Sequence, residues 1–296
     1  MQLLITGANG HLGVRLIRRV NEVRPSDQVV AIVRSEKAAA SLRKEGLEVD
    51  IRVVSYTDSA GIKKAGQGAE VIIHLVGIIK ESATNTFEMA HQKTSEALVE
   101  ANLDASHIVT LGILGSGPSS ANSCFISRTA SDAILQAGPI PTSVIRVPMV
   151  LGPEDYASQA LAKNGSSALA LCFRSSSLEQ PIYSGDVVDA IMSATTLVPA
   201  NQIIELAGPE SLTRKSLIQR AGRLLGNKPT VVSLPMALGY SIAWALEKTS
   251  SNPPVTRAML GVLDHDDAID TSVATNLLGL TLTPLDEVLR NVLTDG

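Results

Sequence analysis

The chain has 296 residues, 45% of them hydrophobic but only 3% aromatic, with a formal net charge of −4 and a pI near 5.8. That length suits one large α/β domain, or a nucleotide domain with a smaller lobe, around a sizeable aliphatic core. An acidic chain poor in aromatics has neither the basic face nor the stacking platform that a general nucleic-acid partner requires.

The chain opens on a short apolar strand, residues 2–5, that runs into Thr6-Gly7-Ala8-Asn9-Gly10-His11-Leu12-Gly13 and then into a helix. Gly7 permits the tight turn, Gly10 lets the backbone approach a pyrophosphate, and Gly13 lets the helix pack close to the strand. The N–H groups at the start of that helix carry partial positive charge toward a diphosphate. Asn9, His11 and Leu12 lie in this loop and are expected against the dinucleotide. A glycine triplet alone is a weak signal; one that follows a strand, opens a helix and precedes a second strand about twenty residues on is a strong one. The helix carries Leu12, Leu16, Ile17 and Val20 on one face and Arg15, Arg18, Arg19 and Glu22 on the other, and Pro25 closes it.

The end of the second strand separates NAD from NADP. An acidic residue there hydrogen-bonds the ribose 2′-hydroxyl, whereas an Arg accommodates a 2′-phosphate. Arg34 holds that position, with Ser35 and Lys37 beside it, which points to NADP. The rival reading, in which Glu36 takes the ribose of NAD and Arg34 is solvated, stays open.

Apolar runs recur at residues 3–6, 29–33, 49–54, 71–76, 108–111 and 144–147, with helical patterns between them. Fully apolar runs such as Val71-Ile72-Ile73 suit strands covered on both faces; the alternation of Val49, Ile51 and Val53 suits a more exposed one. Six such units predict an α/β fold, a doubly wound parallel Rossmann sheet. The pattern changes after Gly152-Pro153: a Gly/Ser/Ala-rich stretch to residue 177, a helix from near Asp186, a strand at 203–206, then mostly helix broken at Gly226, Pro229, Pro235, Pro253-Pro254 and Pro284. The expected division is a nucleotide domain of residues 1–151 with 182–208, and a small, mostly helical C-terminal lobe of 152–181 with 209–296. The lobe faces the carboxyl ends of the strands, and residues 217–225 and the charge-free stretch 231–246 read as its packing helices. In the latter, Leu238, Ile242 and Leu246 are the expected buried face; a membrane-surface helix is the weaker reading, since no Lys or Arg is there to meet headgroups. No stretch reaches the roughly 20 apolar residues that span a bilayer, and no targeting segment precedes the first strand.

At this point the residues resemble a family. Thr6 to Gly13, the stretch His74-Leu75-Val76-Gly77-Ile78-Ile79, Phe87-Glu88-Met89-Ala90-His91, the run Ile145 to Pro153 and the tail Leu277-Leu278-Gly279-Leu280 are similar to the extended and atypical short-chain dehydrogenase/reductases. The nearest branch is the NmrA-like group with the NDUFA-type accessory subunit of respiratory complex I. The resemblance covers nearly the whole chain; it implies that Leu75, Val76 and Gly77 line the cofactor's ribose and phosphate. It also implies that backbone around Pro148 and Met149 approaches the nicotinamide, and that Ser55 or Tyr56 touches the adenine.

Active members of that family use a Ser or Thr at the fifth strand and a Tyr-x-x-x-Lys on the next helix, where Lys holds the ribose and Tyr passes a proton. Here Gly112 stands at the hydroxyl position, Cys124 at the Tyr and Arg128 at the Lys. The tyrosines 56, 156, 183 and 240 are followed at +4 by Ala60, Ala160, Val187 and Trp244, so no shifted motif replaces it. Arg128 can hold ribose hydroxyls but cannot shuttle protons. Cys124, one turn away, becomes an acid/base only if the adjacent cation lowers its pKa; the plainer reading is a small buried residue under the cofactor. His91 stands where many extended members carry Asn, near the nicotinamide or in a structural hydrogen bond.

The remaining candidates are weaker. The five histidines, 11, 74, 91, 107 and 265, lack metal-ligand spacing, so no metal is expected. Asp264-His265-Asp266-Asp267 lacks the Gly and terminal Glu of a calcium loop and reads as a solvated turn or helix cap. Asp155, Tyr156 and Tyr183 are expected to border the cleft. Cys124 and Cys172, the only cysteines, suit a reducing, cytoplasmic setting without disulfides. Three functions follow: an NADP(H)-dependent oxidoreductase acting on a small organic substrate, a non-catalytic NADP(H)-binding sensor or accessory protein with a protein partner or as a homo-oligomer, or a nucleotide-sugar epimerase.

Overall fold

The computed structural model describes residues 1–82, 84–250 and 253–294. In chain order the first part comprises β1 (Gln2–Thr6), α1 (His11–Val23), β2 (Gln28–Val33), α2 (Glu36–Arg43), β3 (Asp50–Val53), α3 (Ser59–Ala65) and β4 (Val71–His74). A π-helical turn, Glu88–Lys93, runs into α4 (Thr94–Glu100), followed by β5 (His107–Ile113), α5 (Ser123–Ala137) and β6 (Thr142–Val147). The second part comprises β7 (Val150–Leu151), α6 (Tyr156–Ser166), β8 (Leu169–Phe173), β9 (Leu178–Glu179), β10 (Ile182–Tyr183), α7 (Ser184–Ala194) and β11 (Gln202–Glu205). It ends with β12 (Leu212–Thr213), α8 (Arg214–Leu224), β13 (Thr230–Leu234), α9 (Met236–Thr249), α10 (Arg257–Leu263), α11 (Ser272–Leu278) and α12 (Leu285–Leu293).

Seven strands form one parallel sheet in the order β11-β6-β5-β4-β1-β2-β3. The expected doubly wound Rossmann sheet is therefore present, with its order reversing between β1 and β4. A crevice opens there at the carboxyl ends of the strands, where such folds place ligands. Side-chain alternation sorts the core. Leu3, Ile5, Ala31, Ile73 and Val109 pack against α1, α2 and α7 on one face. Leu4, Val30, Ile72 and Ile108 pack against α3, α4 and α5 on the other. Burial on both faces explains the unbroken apolar runs. β3, at the sheet edge, is the exception, with Asp50 and Val53 exposed, as its alternating sequence implies.

The lobe holds a core of its own, in which Leu151, Leu161, Ala170, Leu217, Ile218 and Leu289 meet. The Gly/Ser/Ala-rich stretch carries α6 and β8, and β8 pairs in parallel with β13. One expectation is corrected there. The apolar stretch 231–246 is split by Pro235 into β13 and α9. On α9 the buried residues are Gly239 and Ala243, while Leu238 and Ile242 are 46% and 45% exposed. The reason is close approach: a Cβ on Gly239 would lie 2.9 Å from the Phe173 ring, so the small residues, not the leucines, face β8. Among the described residues no helix is long and apolar enough to cross a membrane.

A buried ion pair joins α5 to the sheet. Arg146 Nη2 lies 3.0 Å from Asp132 Oδ2, and its Nη1 donates to the Ser116 carbonyl at 3.0 Å. Burial pushes the Asp132 carboxyl up, and Arg146 pulls it back. Removing one partner strands the other charge in low dielectric. Asp132→Leu is expected to cost about 3–5 kcal/mol in urea unfolding; a loss below about 1 kcal/mol refutes this role for the pair.

Candidate functional site

The glycine loop closes against the neighbouring strand. Gly7 has φ +73°, and a Cβ on it would stand 2.9 Å from the Leu75 carbonyl carbon. The Leu75 N–H donates to the Thr6 carbonyl at 3.0 Å, so β4 leads the chain directly past the turn. Gly10 donates to the Gly7 carbonyl at 3.0 Å and caps α1 without any side-chain hydrogen bond, which leaves the first N–H groups of the helix facing outward. A Cβ on Gly13 would lie 2.5 Å from the Ala8 carbonyl oxygen. These positions form a backbone cradle of the kind a diphosphate fits, with Asn9 exposed at its rim and Leu12 packed on the core.

Arg34 is exposed at the tip of β2, and among the described residues its guanidinium meets no carboxylate. Glu36, the rival, leans toward Arg43 of its own helix at 3.6 Å. The Ser35 hydroxyl caps α2 by accepting from Ala38 N–H at 3.2 Å. Tyr56 is half-buried. Its hydroxyl accepts from Gly7 N–H at 3.2 Å and lies 3.4 Å from the Ile32 carbonyl, so it braces the loop against β2. Ser55 is hydrogen-bonded to Thr57 at 3.0 Å.

The opposite end is built from a polar layer. Thr6, His74 and Thr110 stand in register, Thr6 and His74 at the carboxyl ends of β1 and β4 and Thr110 midway along β5. The Thr6 hydroxyl is 2.7 Å from His74 Nδ1, and Thr110 donates to the His74 carbonyl at 2.9 Å. Arg128 reaches in from α5 and is 8% exposed. Its Nη1 donates to the Val76 carbonyl at 3.1 Å, and the missing Cβ of Gly77 would lie 2.5 Å from Nη2. Gly77 thus makes room for the guanidinium. His91 lies behind, its Nε2 3.1 Å from the Ile78 nitrogen and 3.0 Å from the Ile78 oxygen, its ring stacked on Phe87 at 5.6 Å. Burial first, and then the Arg128 charge, hold both His74 and His91 down at about 3.

Cys124 is fully buried, with its thiol 3.8 Å from the Ile78 carbonyl. The pull of Arg128 on this thiol is real but loses to burial, which pushes it up to about 11. The expected lowering toward neutrality is thereby corrected. Gly112 makes room for a side chain too: a Cβ there would lie 2.8 Å from Arg146 Cγ. Pro148 and Met149 follow β6, and the Met149 carbonyl accepts from Ile182 N–H at 3.0 Å, within the nucleotide domain.

A cavity of about 430 Å³ lies at this end, lined by Gly77, Ile78, Ile79, Lys80, Ile113 and Arg128. A second, of about 540 Å³, lies between the β5–α5 loop and the lobe, with Asn122, Phe125, Tyr240, Arg257 and His265 in its wall. Sequence reasoning missed Lys80, Ile113 and the polar layer. The available signal was His74, a polar residue ending an otherwise apolar strand. His11 lies 2.9 Å from Asp155, which also takes Arg15 at 2.9 Å, so Asp155 ties the first helix to the lobe. Tyr156 is 68% exposed, and Tyr183 packs on the lobe core. The 264–267 run is not fully solvated. Asp266 accepts from Leu178 N–H at 2.9 Å, and Asp267 is buried, with its carboxyl pushed up to about 7 by that burial. Among the described residues no cluster of His, Cys, Asp and Glu is arranged to hold a metal ion.

Residues 7–149 match the family model described as NAD(P)H-binding, and they form such a domain. The ceramide reductase of Caulobacter vibrioides is 26% identical over 262 residues, 87% of this chain and 81% of its own length. The triphenylmethane reductase of Citrobacter sp., solved with NADP(H), superposes with a TM-score of 0.75 at 21% identity, over 98% of this chain and 99% of that one. The NADPH-dependent quinone oxidoreductase QOR2 of Escherichia coli, solved with NADPH, gives 0.72 at 21% identity, over 97% and 98%. The resemblance drawn from the sequence is borne out in the fold and in the NAD(P)H-binding domain.

Two measurements test this geometry. Histidines held neutral in the fold down to about 3 ionise below about 6.5 once unfolded. The stability they confer is complete above that value and is lost as pH falls toward 3, by about 2 kcal/mol per histidine at pH 5. Urea midpoints should therefore drop between pH 7 and 5, and His91→Asn should flatten the drop; an unchanged slope in the variant disproves the assignment. Cys124, and Cys172 whose thiol burial also raises, should resist dithiodipyridine at pH 7.5 in the folded protein and react once unfolded. Rapid labelling of Cys124 in the native state contradicts its burial.

Proposed function

We propose that the chain is an NADPH-preferring reductase that passes a hydride to a small organic substrate. The observation that carries this reading is the unpaired Arg34 guanidinium at the tip of β2, beside a backbone cradle fit for a diphosphate. In this reading the N-terminus of α1 holds the diphosphate, with Gly7, Gly10 and Gly13 allowing its approach, and Arg34 takes the 2′-phosphate. Leu75, Val76 and Gly77 run along the ribose, backbone at Pro148 and Met149 stands by the nicotinamide, and Arg128 holds that half of the cofactor in place of a Lys. Reduced nicotinamide, when bound, supplies the hydride. The lobe, residues 152–181 with 209–296, covers the substrate. The similar proteins include a ceramide reductase, a triphenylmethane reductase and a quinone oxidoreductase, which supports a reductase.

A second reading, a non-catalytic NADP(H) sensor or accessory protein, is favoured by one fact: Gly112, Cys124 and Arg128 replace the usual hydroxyl, phenol and ammonium. The same replacements argue against a nucleotide-sugar epimerase, which needs a proton relay as well as a hydride.

Calorimetric titration decides the cofactor. Arg34→Ala is expected to weaken NADPH binding at least tenfold, about 1.4 kcal/mol, and NADH binding less than twofold. Equal losses for the two nucleotides would falsify the 2′-phosphate role.

A further inference from the structure

Arg128 is a buried cation that makes no ion pair among the described residues, although the charge of Asp132 acts on it through space. It is 8% exposed, its Nη1 meets only the Val76 carbonyl, and its Nε has no partner. The acid nearest to it along α5, Asp132, is committed to Arg146 at 3.0 Å. A charge buried in this way is costly unless something electron-rich is brought to it. The same cavity wall carries a second cation, Lys80. Lys80 is half-buried and, among the described residues, held by one hydrogen bond, from Nζ to the Pro253 carbonyl of the lobe at 3.1 Å. An ammonium has three donors, so two remain. Among the described residues Lys80 makes no ion pair, and its neighbour Glu81 is turned away to accept from Phe87 N–H at 2.8 Å.

We propose that Lys80 and Arg128 form an oxyanion site in this cavity, which binds the carbonyl oxygen of a ketone or aldehyde and replaces the missing Tyr-x-x-x-Lys. Arg128 is the fixed electrophile and Lys80 is the proton donor. This rests on the reductase reading above. As the carbonyl carbon accepts the hydride, the π pair of the C=O bond moves onto oxygen; an N–H bond of Lys80 breaks as the O–H bond of the alcohol forms. The carbonyl is reduced by two electrons, the nicotinamide is oxidised, and the Lys80 amine regains its proton from water. Lysine and tyrosine give up protons in the same range in model peptides, about 10 to 10.4, so an ammonium can do the work of the phenol. Arginine cannot, and the Cys124 thiol is turned to the Ile78 carbonyl.

The test uses the full chain saturated with NADP⁺ and two probes of one shape, benzoate and benzamide, titrated by calorimetry. Wild type is expected to prefer benzoate at least tenfold, Lys80→Met to lose most of that preference, and Lys80→Arg to keep it. With a carbonyl substrate drawn from a panel, Lys80→Arg is expected to lower kcat at least 100-fold with little change in KM, because its guanidinium cannot release a proton. Equal binding of the two probes by wild type, or an intact preference in Lys80→Met, overturns the site. NADPH affinity is measured in parallel: failure of the wild type to bind it overturns the reductase reading itself, whereas normal NADPH binding with no benzoate preference overturns the oxyanion site alone.

Discussion

The closest approach in the molecule that matters for its chemistry is backbone on backbone, where the turn after β1 meets the chain leaving β4. Gly7 can take φ +73° and come within van der Waals limits of Leu75 because it has no Cβ. That approach brings the crevice of the sheet to the amino end of α1, so the strand-order reversal, the helix dipole and the glycine turn all coincide. Gly13 serves the same geometry from the other side by letting α1 settle onto Ala8. Tyr56 then fixes the turn laterally by taking the Gly7 N–H and reaching toward β2. Nothing larger than glycine at Gly7 or Gly13 keeps these contacts without backbone movement.

From that point the sheet changes character toward its carboxyl edge. Its core is aliphatic up to Leu4, Ile72 and Ile108, and one pleat later becomes Thr6, His74 and Thr110. The layer is internally bonded, yet His74 Nε2, His91 Nδ1 and Arg128 Nε are left without partners. Unsatisfied buried groups of this kind are uncommon, and each calls for an explanation. Burial, with the Arg128 charge second, keeps both imidazoles neutral, so the pocket holds one buried charge, that of Arg128, with the half-buried Lys80 at its margin.

Sequence spacing made the cofactor half of the site readable, because its determinants are local. Three glycines between a strand and a helix, and one Arg at the next strand end, need only the βαβ unit around them. Alternation likewise announced the exposed edge strand β3. The substrate half was not readable in the same way. The environment of Cys124 is set by α5, the β4 loop and burial together, and the i, i+4 spacing to Arg128 conveyed attraction but not the larger desolvation that opposes it. The leucines of α9 misled for a related reason. Helical periodicity identifies an apolar face, but the face that packs is the one that lets Gly239 and Ala243 approach Phe173. Lys80 carries no motif at all; its place depends on a carbonyl 173 residues later in the chain.

That dependence distinguishes this reactive end from the arrangement it replaces. A Tyr and a Lys four apart on one helix are positioned together by 3.6-residue periodicity, whatever the lobe does. Arg128 keeps that helical position, but the second cation comes from the loop after β4 and is steadied by the lobe through Pro253. The lobe is tied back to the nucleotide domain at Asp155, by Arg15 and His11 from the first turn of the phosphate-loop helix, and at Asp186, whose carboxylate receives Thr283 at 2.7 Å. Lys80 and the first turn of α1 thus both contact the lobe. In the proposed reductase the proton donor and the diphosphate cradle therefore both contact the lobe, which a single-helix acid–cation pair does not require.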